Sequence, residues 1–118
     1  MSLQQKKIAP MNQRLVEALK KETQLNSLIK RKREEDFHIL YYSLWGSDCK
    51  KIMTLVDEWK IREGEEKLYT INSWDLPHAF TAFKICRVPA LVSVKKGRIR
   101  VDDQYSQLYR FFTCNKGR

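Results

Sequence analysis

Thiols are the side chains here with the most chemistry to offer. The chain has three cysteines, Cys49, Cys86 and Cys114, and two histidines, His38 and His78. No pair of cysteines has CxxC spacing, and neither histidine has metal-ligand spacing with a cysteine, so no metal site and no cofactor is expected. Three scattered cysteines are also too few for a disulfide framework. Disulfide exchange needs an attacking thiolate, a second thiol to resolve the mixed disulfide and, usually, a proton acceptor. Cys49 is the candidate, because of where its neighbours place it.

The residues Phe37-His38-Ile39-Leu40-Tyr41-Tyr42-Ser43-Leu44 form an aromatic and β-branched run with almost no polar alternation. That is the pattern of a strand buried on both faces of a mostly parallel sheet. Trp45-Gly46-Ser47-Asp48-Cys49 breaks the run with residue types that start helices. Cys49, Ile52, Met53, Val56 and Trp59 then recur at helical spacing. A strand emptying into a helix N-terminus builds a site at the carboxyl edge of a sheet, where open α/β folds bind ligands.

Three segments together resemble the thioredoxin family. Trp45-Gly46-Ser47-Asp48-Cys49 sits where thioredoxins carry Trp-Cys-Gly-Pro-Cys. Ile85-Cys86-Arg87-Val88-Pro89-Ala90 is similar to the family's loop ending in a cis-proline, and Lys95-Lys96-Gly97-Arg98 to its last hairpin turn. The resemblance runs from Phe37 to Phe112. It implies an α/β thioredoxin-like fold, a central mixed sheet of about four strands flanked by helices. It also implies a degenerate redox motif, with Gly46 in the place of the nucleophilic cysteine, Cys49 in that of the buried resolving cysteine, and Leu40 in that of the family's buried acid. Ala90 replaces the family's common threonine after the proline, and Val101-Asp102-Asp103 stands where its glycines usually follow the last strand.

These implications favour a protein-binding or accessory module without dithiol reductase activity. Its partner surface would comprise Trp45, Gly46, Ser47, Asp48, Val88 and Pro89, with the Val88 backbone able to pair with an extended peptide. The enzyme alternative is a one-cysteine thiol-disulfide oxidoreductase acting through a catalytic Cys49 in cell redox homeostasis. Against that, a buried thiol stays protonated and attacks poorly, and Cys49 also reads well as a small core residue. A third alternative comes from charge. Twenty-three Lys and Arg against 14 Asp and Glu give a net +9, which favours acidic partners. Any nucleic-acid binding is expected to be weak, non-specific and salt-sensitive, through Lys30–Arg33 and Lys95, Lys96, Arg98 and Arg100, because no base-reading motif accompanies them.

At 118 residues the chain is expected to form one domain over residues 12–118, behind a polar, disordered lead-in over residues 1–11. Without an 18-residue apolar span or a signal-peptide pattern, the expected location is cytoplasmic and away from membranes. From Asn12, a plausible cap, apolar residues recur at helical spacing to Arg33, which predicts one long N-terminal helix. Its outer apolar pair, Leu28 and Ile29, makes a homodimer through this helix a further expectation. A short helix is predicted from Leu76-Pro77, strands over residues 68–71, 90–94 and 98–101, and a terminal helix from the stripe Tyr105, Leu108, Tyr109 and Phe112.

Overall fold

A computed structural model describes residues 14–62 and 64–113. The expected lead-in over residues 1–11, the Asn12 cap and Cys114 lie outside them. The elements run β1 (Leu15–Ala18), α1 (Glu22–Lys30), β2 (Phe37–Tyr42), α2 (Ser47–Lys60), β3 (Lys67–Asn72), a 3-10 turn (Pro77–Thr81), β4 (Ala90–Lys95), β5 (Arg98–Asp102) and α3 (Tyr105–Thr113). The sheet order is β1-β3-β2-β4-β5. β1, β3 and β2 are parallel, whereas β4 and β5 pair antiparallel.

β2 lies at the centre of the sheet, and its first five residues are all buried. Neighbouring side chains on a strand face opposite ways, so its two faces feed two cores. Phe37, Ile39 and Tyr41 join Leu25, Leu28, Val92 and Val94 under α1 and the 3-10 turn. Leu40 joins Ile52, Val56, Trp59, Leu91, Leu108 and Phe112 under α2 and α3. A strand with a core on each side has no polar face, which explains the uninterrupted apolar run.

The N-terminal segment differs from its expectation. In place of one helix from Asn12 to Arg33, the chain makes β1 and then a nine-residue α1. Leu15 to Ala18 pairs with Lys67 to Thr70, and the Leu19 N–H continues the pairing to the Thr70 carbonyl at 2.9 Å. The parallel edge of β3 would otherwise leave unpaired backbone groups, and satisfying them outweighs helix propensity. A four-residue strand is also too short for period-two alternation to stand out against helical spacing. The break is reinforced at Gln24, whose Oε1 accepts from the N–H groups of Lys20 (2.8 Å) and Lys21 (3.0 Å) at the start of α1.

The shorter helix also removes the motive for self-association. Leu28 is buried in the core and Ile29 packs half-buried against it, so this apolar pair lies on the sheet side of α1. The apolar stripe that looked excessive for a sheet-covering helix is used on the sheet.

The β4–β5 hairpin turns at Lys96 and Gly97, both with positive φ (51° and 83°). Two such residues in a row make the tight turn that matches strand twist. The turn is tied down from outside the hairpin. The Lys96 N–H donates to Asp36 Oδ1 at 2.9 Å, and the Gly97 N–H donates to the Lys32 carbonyl at 3.0 Å. These bonds bring Lys32 and Arg33 beside Lys95 and Lys96, so two basic stretches far apart in sequence meet at one end of the sheet.

Candidate functional site

The other end of the sheet carries the thiol. β2 ends at Tyr42, and the chain turns through Ser43 to Trp45 before α2 begins. Gly46 is the N-cap of α2, with an ordinary extended φ of −83°. Its carbonyl accepts the Lys50 N–H at 3.1 Å, the first bond of the helix. Ser47 and Asp48 are exposed in the first turn, where an acid suits the helix dipole.

Cys49 follows on the inner face and is only 1% exposed. Its Sγ accepts the Ser43 N–H at 3.3 Å. Burial pushes the thiol above its ordinary pKa; the Ser43 bond opposes this, and the Asp48 carboxylate adds to the rise. Cys49 is therefore a protonated, shielded thiol at neutral pH. Leu40, fully buried on the face that α2 covers, gives it no carboxylate to exchange protons with.

Sheet register brings the second predicted loop alongside. Tyr41 pairs with Ala90, so Val88 and Pro89 continue from β4 beside the end of β2. The Val88–Pro89 peptide is cis. Pro89 is buried, and Val88 packs half-buried against the core. Cys86, three residues earlier, is exposed, with its Sγ 3.6 Å from the Lys84 carbonyl oxygen. Cys49 and Cys86 are both free thiols.

The predicted partner residues thus share one edge of the sheet, but they contribute unequally. Trp45 is 83% exposed, whereas Gly46 is half-buried and Cys49 is covered. Trp74, absent from the sequence expectation, belongs with Trp45. Tyr42 and Asn72 are register partners, and the Ser73 N–H donates to the Tyr42 carbonyl at 2.9 Å. Trp45 and Trp74 therefore emerge from adjacent strand ends, and Trp74 is 79% exposed. The Asn72 side chain accepts the Trp74 N–H at 3.1 Å and fixes that turn. A Trp next to Asn72-Ser73 was the available signal.

Among the described residues, no cluster of three or more His, Cys, Asp or Glu could hold a metal ion. No described helix is long and apolar enough to cross a membrane.

The sequence matches no protein-family model and no curated protein. Solved structures do match. A Malassezia sympodialis thioredoxin superposes with a TM-score of 0.68 at 15% identity, covering 84% of this chain and 89% of that one. A Schistosoma mansoni thioredoxin gives 0.68 at 16%, covering 85% and 94%. Thioredoxin O2 from Arabidopsis thaliana, in its oxidised state, gives 0.62 at 18%, covering 84% and 90%. At such identities the likeness is one of fold, and the fold is thioredoxin-like. Against the expected sheet of about four strands, it has five, the fifth being β1.

Proposed function

We propose that this thioredoxin-fold chain is a protein-binding module whose redox motif is degenerate and which does not reduce disulfides by the dithiol route. One observation carries the reading: at the sheet edge where the fold places Gly46 before Cys49, the sole thiol of the pair is 1% exposed and raised in pKa. Gly46 stands in for the attacking cysteine, and Cys49 serves as a core residue of α2. The exposed pair Trp45 and Trp74 supplies the large amphipathic contact area that partner surfaces use. The Val88–Pro89 loop supplies backbone for an extended peptide.

Two measurements test this. Wild-type protein should reduce insulin disulfides no faster than a small-thiol background. Under native conditions iodoacetamide should label Cys86 well before Cys49, as read by peptide mass spectrometry. Turnover by the wild type, together with rapid labelling of Cys49, would instead make the protein a one-cysteine oxidoreductase. The partner surface is tested by affinity capture: a protein retained by the wild type should be lost on Trp45→Ser and Trp74→Ser. Its retention by both variants would move the surface elsewhere.

A second reading is supported by the meeting of Lys32 and Arg33 with Lys95 and Lys96 at the far end of the sheet. That basic end gives the protein a weak, non-specific attraction for nucleic acid. Such binding should fall steeply as salt rises and show no sequence preference.

A further inference from the structure

On the α2–α3 face, α3 covers Leu40 and Leu91 with Leu108 and Phe112. Two residues along each strand, away from Cys49, the sheet face changes character. His38 and Ser93 are register partners there, with His38 Nδ1 2.8 Å from Ser93 Oγ. Above them opens a groove of about 760 Å³ between β5, α3 and the Arg14–Trp59 corner. Its size is that of a small-molecule site, for which roughly 300–1,000 Å³ is usual.

Charge in this groove is one-sided. Arg14, Lys95, Arg98, Arg100 and Arg110 line it, against Glu66 and Asp102. Arg14 bonds Glu66 at 2.6 Å, and Arg100 bonds Asp102 at 3.1 Å. Lys95, Arg98 and Arg110 have no acidic partner among the described residues. Three unpaired cations around one concavity repel one another, and a multiply charged anion between them relieves that repulsion.

The floor adds a buried polar group in need of a partner. His38 is only 6% exposed, and its Nε2 has no hydrogen-bond partner among the described residues. A buried ring nitrogen of this kind is ordinarily satisfied. Burial, the largest influence, lowers the His38 pKa to about 4, so at neutral pH the ring offers a hydrogen bond and no charge. α3 adds an apolar wall: Phe111 packs edge-on to the His38 ring at 4.8 Å between centroids.

We propose that this groove binds a small phosphorylated organic molecule. Its phosphates lie among Lys95, Arg98 and Arg110, and its organic part lies against Phe111. Guanidinium groups match phosphate oxygens two at a time, which favours phosphate at a site with two unpaired arginines. A nucleic-acid strand is the poorer fit, because these cations surround a concavity with a polar floor instead of tracking along a ridge. The site is at the opposite end of the sheet from the thiol and is independent of the function proposed for it.

The test uses the intact protein with three probes: ATP, inorganic tripolyphosphate and adenosine. Binding is read by calorimetry and by NMR of the His38 ring. ATP and tripolyphosphate should bind and shift the His38 signals, and adenosine should bind far more weakly. ATP binding tighter than tripolyphosphate places the organic part in the groove; equal binding makes the site one for the phosphates alone and overturns the organic contact. Arg98→Glu with Arg110→Glu should weaken ATP binding by at least about tenfold. Lys20→Glu with Lys50→Glu changes total charge equally and should alter it by less than about twofold. All four are exposed side chains, and the melting temperature of each variant confirms folding. Arg98→Lys with Arg110→Lys keeps the charge and should recover part of the affinity. Equal losses in the two charge-reversal variants would reduce the effect to net charge. An unshifted His38, or a single-stranded oligonucleotide that binds more tightly than ATP and displaces it, would also overturn the proposal.

Discussion

Gly46→Cys is expected to form a disulfide with Cys49 and to confer disulfide-reducing activity. A Cβ built on Gly46 lies 3.6 Å from the Cys49 Cβ and 3.3 Å from its Sγ. Disulfides span about 3.5–4.5 Å between Cβ atoms, so the backbone already holds bonding geometry. The φ of −83° suits any L-residue, and the new side chain brings no backbone strain. Its thiol would sit at the N-terminus of α2, where the helix lowers the thiol pKa, while Cys49 waits one turn on to resolve a mixed disulfide. The gain should be incomplete. Leu40 supplies no proton acceptor, and positioned acid–base help is worth roughly 10²–10⁴-fold. Insulin reduction should therefore rise clearly above the wild-type background yet remain slow. Mass spectrometry of the oxidised variant should show the bond between positions 46 and 49; without that bond, the reading of Gly46 and Cys49 as a motif pair is wrong.

The second large effect is a loss of stability in mild acid, traced to His38. Burial first, then Lys95, lower its pKa, against the opposing pull of Glu66 and Asp36, leaving it near 4 in place of 6.5. Between those values the unfolded chain takes up a proton that the folded chain refuses. The histidine thus imposes no penalty above about pH 6.5; stability falls as the pH drops from there and levels off near 4. The full penalty is ~3 kcal/mol, a large share of the roughly 5–15 kcal/mol that holds a domain together. Glu66 adds to the loss only at the acid end of this window. Burial would raise its carboxyl, but the Arg14 hydrogen bond and charge keep it below its ordinary 4.5, so its own contribution starts to fall only as the pH drops below that value. Urea unfolding of wild type and His38→Gln across this range should give a sloping and a flatter curve. Parallel curves would exclude His38 as the source.

The most legible parts of this chain were those in which one element determines its own character. The Phe37–Tyr42 run declares a strand with a core on each side, and Lys96-Gly97 declares a tight hairpin turn. β1 was illegible because its conformation is dictated by the open edge of β3, some 50 residues later in the chain. The thiol loop could be placed from Trp45 to Cys49, and Cys49 was expected on the buried inner face of the helix, where it lies. Trp74 was missed because its proximity to Trp45 follows from the register between β2 and β3. The phosphate groove has no local signature. Its residues come from β2, α2, β4, β5, α3 and the segments preceding β1 and β3, and each reads alone as an ordinary surface charge, strand residue or helix residue.

The two outer strands have a consequence for the protein in concentrated solution. A sheet edge is a template on which another copy can add a strand, and that is how many folded proteins begin to form fibres. Here one outer strand, β1, offers only four residues, and the other, β5, presents Arg98 and Arg100 with Lys95 beside them. Two copies approaching β5 to β5 bring these cations together before any backbone bond can form. The basic edge therefore acts as a guard against fibre growth, and the guard weakens when salt or a bound polyanion screens its charge.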